Sequence, residues 1–114
     1  MKAEVLKGHL DALLLAILEN GAQHGYAIRE ALRVTSGGRF DLPTGTIYPA
    51  LYRLERAGLV DGRWMLVGER RQRRTYVLTA AGRQALTRHR ASWQEFATAV
   101  SAVLLQEGTC PANA

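Results

Sequence analysis

The chain has 114 residues, 47% of them hydrophobic, so it can bury one modest core and is expected to form one compact domain, with at most an element left over for a partner. Its formal net charge is +5, and Arg supplies 13 of the 15 cations beside Lys2 and Lys7; Arg is the side chain that forks onto phosphate and guanine. With one Cys and a longest apolar run of seven residues, Ala12 to Leu18, the sequence predicts no intrachain disulfide, thiolate metal cluster, membrane span or signal peptide, and a cytoplasmic protein in a reducing compartment.

In chain order, residues 1 to 8 are polar and predict an irregular lead. Residues 10 to 21, LDALLLAILENG, are apolar nearly all the way round, which predicts a helix buried on more than one side and stopped at Gly21. A short second helix is expected around residues 25 to 32, with Tyr26, Ile28 and Leu32 available for packing. The stretch VTSGGRFDLP at 34 to 43 then holds Ser, two Gly and a Pro, the chemistry of a loop.

The third helix lies within LPTGTIYPALYRLERAGLV, residues 42 to 60, with Thr44 or its neighbour as its cap. At about 100° per residue, Ile47, Leu51, Leu54 and Gly58 share one side, with Ala50 beside them, and that is the core side. The remaining surface carries Gly45, Thr46, Tyr48, Pro49, Tyr52, Arg53 and Arg56: hydroxyls, aromatic planes and guanidinium groups, a face suited to contact with a partner.

VDGRWMLV at 60 to 67 and RRTYVLT at 73 to 79 alternate and hold β-branched and aromatic residues, and the GERRQ between them reads as the loop of a hairpin. Three helices followed by a hairpin with a basic tip is the order of a winged helix-turn-helix, in which the third helix enters a major groove and the hairpin touches the backbone alongside. Charge agrees with that order. Residues 53 to 90 hold ten Arg against three acids, whereas the rest of the chain holds five cations and seven acids. A basic segment this local favours a polyanion as partner, with a plain solvated surface as the alternative.

Thr79 opens a last helix expected to reach about residue 106, roughly 40 Å long. Its apolar residues Leu86, Trp93, Phe96, Val100, Val103 and Leu104 approach a 3-4 alternation, so part of it should overhang the domain and pack on a second subunit, unless it folds back on its own core. The predicted organisation is a mainly α chain with a small β-hairpin: a winged helix-turn-helix DNA-binding domain over 1–78, a long C-terminal dimerisation helix over 79–107 and a flexible tail over 108–114 that contains Cys110.

HGYAI at 24 to 28, TGTIYPALYRLERAGLV at 44 to 60 and RRTYVLTAAGRQAL at 73 to 86 occur in the order and spacing that resembles the PadR family of bacterial transcriptional regulators. The similarity covers about residues 8 to 90, and the GTxYPxLxRLExxGL pattern is far more specific than a general helix-turn-helix signature. The single, short C-terminal helix is similar to the small-subunit branch. The resemblance implies a homodimeric repressor on double-stranded DNA, bound at a palindromic operator and released by a small molecule.

Candidate DNA contacts follow from the helix face, with the family similarity pointing to the same positions. Thr44, Thr46, Tyr48 and Pro49 fall at the start of the third helix, where recognition helices meet base edges; Pro49 is alternatively a first-turn residue with no N–H to lose, and Tyr48 alternatively folds onto the core. Tyr52 and Arg53 come one turn later, toward sugar and phosphate, with an i,i+3 or i,i+4 ion pair as the other reading of Arg53. Arg70, Arg71, Arg73 and Arg74 form the wing tip and return strand, and alternation along the strand prevents all four from facing one partner. His24 and Tyr26 begin the second helix, where free N–H groups favour a phosphate, although His24 equally suits a cap or the core.

Trp93 and Phe96 are the candidates for stacking a small aromatic or drug-like effector, again by resemblance; an aromatic at helical spacing is otherwise core or dimer interface. No Gly-rich phosphate loop, nucleophile with an evident base or carboxylate pair points to catalysis, and no cofactor is implied. His9, His24 and His89 lack metal-ligand spacing. The competing function is a winged helix that binds an acidic protein partner without reading DNA sequence.

Overall fold

The computed structural model describes Leu6, residues 8–21 and residues 23–107. The expected tail, Cys110 included, and most of the expected irregular lead lie outside the described residues. Leu6, however, is only 5% exposed and belongs to the core, so the lead contributes an apolar contact.

Helix α1 (Leu10–Leu18) is followed by a two-residue strand β1 (Gln23–His24), helices α2 (Gly25–Thr35) and α3 (Thr44–Arg56), strands β2 (Val60–Val67) and β3 (Arg71–Leu78), and helix α4 (Ala80–Leu104). One core gathers Leu14, Leu15 and Leu18 of α1, Ile28 and Leu32 of α2, Ile47, Ala50, Leu51 and Leu54 of α3, Leu42 of the loop between them, Val60 and Tyr76 of the sheet, and Leu86 of α4. Tyr26, expected among the packing residues of α2, is exposed instead. No helix among the described residues is long and apolar enough to cross a membrane.

The cap of helix α3 falls on the neighbour of Thr44 and not on Thr44 itself. Pro43 is its N-cap residue and Thr44 its first helical one, with no side-chain cap; the Pro43 carbonyl accepts from the N–H groups of Thr46 and Ile47 at 2.9 and 3.2 Å. Pro49 is therefore inside the helix and not in its first turn, where it cannot donate to the Gly45 carbonyl one turn back. Gly58 lies beyond the helix end, not on its core side. At φ +76 it takes the left-handed conformation that ends helices, with the Gly58 and Leu59 N–H groups donating to Glu55 and Leu54 carbonyls at 3.0 Å.

The sheet has the order β1-β3-β2 and is antiparallel throughout. β2 and β3 pair from Val60↔Leu78 to Val67↔Arg71, so Arg71 and Gln72 are strand residues and the wing turn is residues 68–70. β1 was not expected; Gln23 and His24 pair with Tyr76 and Thr75 and tie the start of α2 to the sheet. β2 is an edge strand, and Trp64, Met65, Leu66 and Val67 on it are all exposed.

Helix α4 is joined closely to the end of α3. The Thr79 hydroxyl accepts from the Gly82 N–H at 3.0 Å as the N-cap and donates to the Gly58 carbonyl at 2.7 Å, while the Thr79 N–H donates to Leu59 O at 3.2 Å. Farther along, both Arg90 guanidinium nitrogens reach Glu19, just past α1, at 2.7 and 2.9 Å. Of the 25 residues of α4 only Gly82 and Leu86 are buried, and Phe96, Val103 and Leu104 stand exposed.

Gly82 approaches so closely that a Cβ there would lie 2.1 Å from Leu59 O, a backbone atom that cannot swing aside. Gly→Ala in a helix ordinarily stabilises by up to about 1 kcal/mol. Here Gly82→Ala is expected to reverse that sign and cost about 2 to 3 kcal/mol, read as a lowered urea midpoint.

Candidate nucleic-acid interface

The apolar stripe of α3 fixes which of its residues face outward. With Ile47, Ala50, Leu51 and Leu54 buried, Thr44, Gly45, Tyr48, Pro49, Tyr52, Arg53 and Arg56 are exposed and Thr46 is half-buried. Pro49 leaves the Gly45 carbonyl without its intrahelical donor, and nothing lies within 4 Å of where a Gly45 Cβ would be, so an acceptor and open space occur together near the start of this face.

Tyr48 is only partly available. A Cβ on Gly25 would lie 2.4 Å from its ring, so the tyrosine lies against the first turn of α2 and the glycine is what makes room for it. Arg53 extends sideways to Asp11 of α1 at 3.1 Å, a partner 42 residues away instead of a neighbour on its own helix; both groups are at least half exposed, so solvent screens the pair and the guanidinium can exchange partners. Arg56 lies over the Tyr52 ring, 5.8 Å from its centroid.

His24 is the N-cap residue of α2, its Nδ1 accepting from the Ala27 N–H at 3.3 Å. Burial, and then the positive charge of Arg73, push its imidazole below the ordinary 6.5 and favour the neutral ring that the cap requires. Tyr26 is exposed two residues on, with Arg29 at 5.9 Å. Arg29 turns back to the loop, donating from Nε to the Leu42 carbonyl at 2.7 Å and pairing with Asp41 at 3.1 Å, and so fixes the approach to α3; sequence reasoning had given it no role.

The wing arginines divide into two kinds. Arg70, Arg71 and Arg73 are exposed, and no ion pair joins them to an acid among the described residues. Arg74 is half-buried against Glu55 of α3: its Nη2 reaches both carboxylate oxygens, Oε2 at 2.7 Å, and its guanidinium lies 5.5 Å from the Trp64 ring. Glu55, Gly62 and Tyr76, which surround it, were not among the sequence candidates, although a glycine inside a strand pattern is a known sign of close approach.

Trp93 and Phe96 are apart from all of these, on α4. Trp93 meets His9 edge-on at 5.3 Å and Phe96 at 6.2 Å, and His9 meets His89 at 5.6 Å. The rings of His9, His89 and Trp93, but not Phe96, border a largely apolar cleft of about 470 Å³ between α1 and α4, lined also by Leu13, Phe40 and Leu86.

The sequence model of the transcriptional regulator PadR-like family matches residues 14–88. A transcriptional regulator of Mycobacterium tuberculosis is 38% identical over 92 residues, 78% of this chain and 82% of that protein. The crystal structure of a PadR-like transcriptional regulator from Bacillus cereus is similar with a TM-score of 0.79 at 27% identity, covering 91% of this chain and 99% of that one. Bacillus subtilis PadR, crystallised in complex with operator DNA, is similar with a TM-score of 0.64 at 28% identity over 69% of this chain and 45% of that one.

A lowered His24 pKa means that the unfolded chain binds the proton more readily. The stability contributed by the neutral ring is therefore complete above about pH 6.5 and is lost as pH falls through the lower folded value. Urea midpoints at about pH 7.5 and about pH 5.5 should fall further for the wild type than for His24→Asn, which keeps a capping oxygen and does not titrate.

Proposed function

This chain belongs to the PadR-like family of transcriptional regulators, and from that premise we propose that it is a homodimeric, sequence-specific DNA-binding repressor, released from a palindromic operator by a small aromatic or drug-like effector. The observation that carries the DNA reading is the basic wing: three arginines, Arg70, Arg71 and Arg73, left exposed beside a helix whose outer face carries hydroxyl, aromatic and guanidinium groups around Gly45 and Pro49. The family relative crystallised on its operator supports the same reading.

In this mechanism α3 enters the major groove. Thr44 and Thr46 meet base edges or phosphates at its start and the Gly45 carbonyl accepts from a base amino group, Pro49 and the exposed edge of Tyr48 make apolar contacts with thymine methyls, and Tyr52 and Arg53 reach the strand backbone, Arg53 exchanging Asp11 for a phosphate. The start of α2, with His24 and Tyr26, approaches a flanking phosphate, and the wing follows the backbone.

The dimer forms through the overhanging part of α4. Phe96, Val103, Leu104 and Leu105 are 59 to 74% exposed there, an apolar surface that a second copy of the helix would cover. The cleft beside Trp93 takes the effector, whose differential affinity for two dimer arrangements shifts the spacing of the α3 helices.

Fluorescence anisotropy with the duplex upstream of the chain's own gene, beside a scrambled duplex, is expected to show selective binding by two subunits per site. Equal, salt-sensitive binding to both would leave only the electrostatic half of the reading, and no binding would favour an acidic protein partner. Arg70→Ala with Arg71→Ala should flatten the salt dependence by up to about 1.8 log units per log unit of salt for each subunit. Trp93→Ala should abolish the effector response while operator binding persists; loss of dimerisation instead would make Trp93 an interface residue.

A further inference from the structure

We propose that Arg74 is a positioning residue: its bond to Glu55 is a strut that fixes the angle between helix α3 and the wing, and through that angle the selectivity of DNA binding. The inference rests on the DNA reading for its consequence, but the strut itself is a property of the free protein.

Several contacts converge on this pair. Arg74 stands on β3 opposite Trp64 of β2, and Glu55 stands in the last turn of α3, so the ion pair spans recognition helix and wing. Each side chain is about 70% covered, with exposures of 30 and 27%, whereas the Arg53–Asp11 pair is left at 60 and 50%. Trp64 covers the guanidinium, and the Tyr76 phenol, raised by burial and drawn back by the adjacent guanidinium, lies beside it. Gly62 provides the space: a Cβ there would lie 2.5 Å from Glu55 Oε2 and 2.6 Å from Arg74 Nη2.

The charge of Arg74 is met by a carboxylate that both N–H groups of its Nη2 engage, so it would neutralise a phosphate less than the unpaired Arg70, Arg71 or Arg73. Its planar fork, held over an aromatic face, suits the fixing of two elements in one orientation. Elsewhere α3 and the wing are joined by the short turn after Gly58 and by the apolar contact around Val60, both at the base of the hairpin. Glu55–Arg74 is the polar tie nearer the tip, where an angular error is magnified along the strands.

Glu55→Gln separates the two readings of Arg74. As a strut, the pair is weakened, and selectivity for the operator over scrambled duplex is expected to fall about tenfold with an unchanged salt slope. As a phosphate contact, Arg74 would be freed by the same change, and binding would tighten with a steeper slope. Gly62→Ala alters no charge and meets only the ends of two flexible side chains, so it should fold, and it is expected to reproduce the selectivity loss.

The strut is read without DNA from the distance between spin labels at Arg56→Cys and Glu69→Cys in a Cys110→Ser background. One narrow distribution in the parent protein, broadened or shifted by Gly62→Ala and by Glu55→Gln, is the expected result. A distribution that keeps both its width and its mean distance in both variants overturns the strut, as does tighter DNA binding by Glu55→Gln. If the parent protein does not distinguish the two duplexes, the DNA reading fails, and the label distances still decide whether Arg74 holds the wing.

Discussion

The burial of one stripe of α3 is the constraint on which the rest of the molecule depends. Ile47, Ala50, Leu51 and Leu54 are each at most 2% exposed, and burying a large aliphatic side chain stabilises by roughly 1.5 to 3 kcal/mol. Rotating the helix about its axis would bring guanidinium and hydroxyl groups into that core without partners, so the outer face is fixed by what the inner face cannot give up. Other elements then brace the helix. Leu42 and the Arg29 bond secure its approach, Gly58 and Thr79 hold its end, and Tyr48 leans on Gly25.

Features that repeat along the chain were legible in the sequence, and features made by distant partners were not. The period of Ile47, Leu51 and Leu54 marked α3, the alternation over residues 60 to 67 marked the wing, and Thr79 marked the start of α4. The two residues of β1 have no period and join the sheet by backbone pairing alone. Leu6 belongs to a lead too short to show a period, and its burial depends on elements formed later in the chain. Pro49 suggested a helix start because prolines are commonest there, but an exposed helix face tolerates the lost bond when its free carbonyl is open to solvent.

The candidate site shows the same division. Composition identified an arginine-rich segment, and the chain's family membership agrees with the use assigned to it, yet residue type says nothing about which arginines are already engaged. Arg74 and Glu55 are 19 residues apart, and Arg53 and Asp11 are 42 apart, separations at which no local pattern links acid to base. The two pairs also differ in kind. Arg53–Asp11 is open to water and salt, so its partner is exchangeable, whereas Arg74–Glu55 is covered and better suited to holding a geometry.

The outer edge of β2 has a further consequence for the chain in solution. Four consecutive large apolar residues, Trp64 to Val67, are exposed on a strand with one unpaired side, which is the surface that recruits strands from other molecules and leads to aggregates. Arg63 precedes the run, and Arg70 and Arg71 face its end across a short turn. Arg63 is paired with Asp61, but Arg70 and Arg71 are paired with no acid among the described residues, and like charges on two approaching copies repel, which disfavours pairing of the edge. Colloidal stability and the polyanion binding proposed for the wing would thus draw on one set of charges, and a wing with fewer arginines would be expected to lose protection against self-association as well.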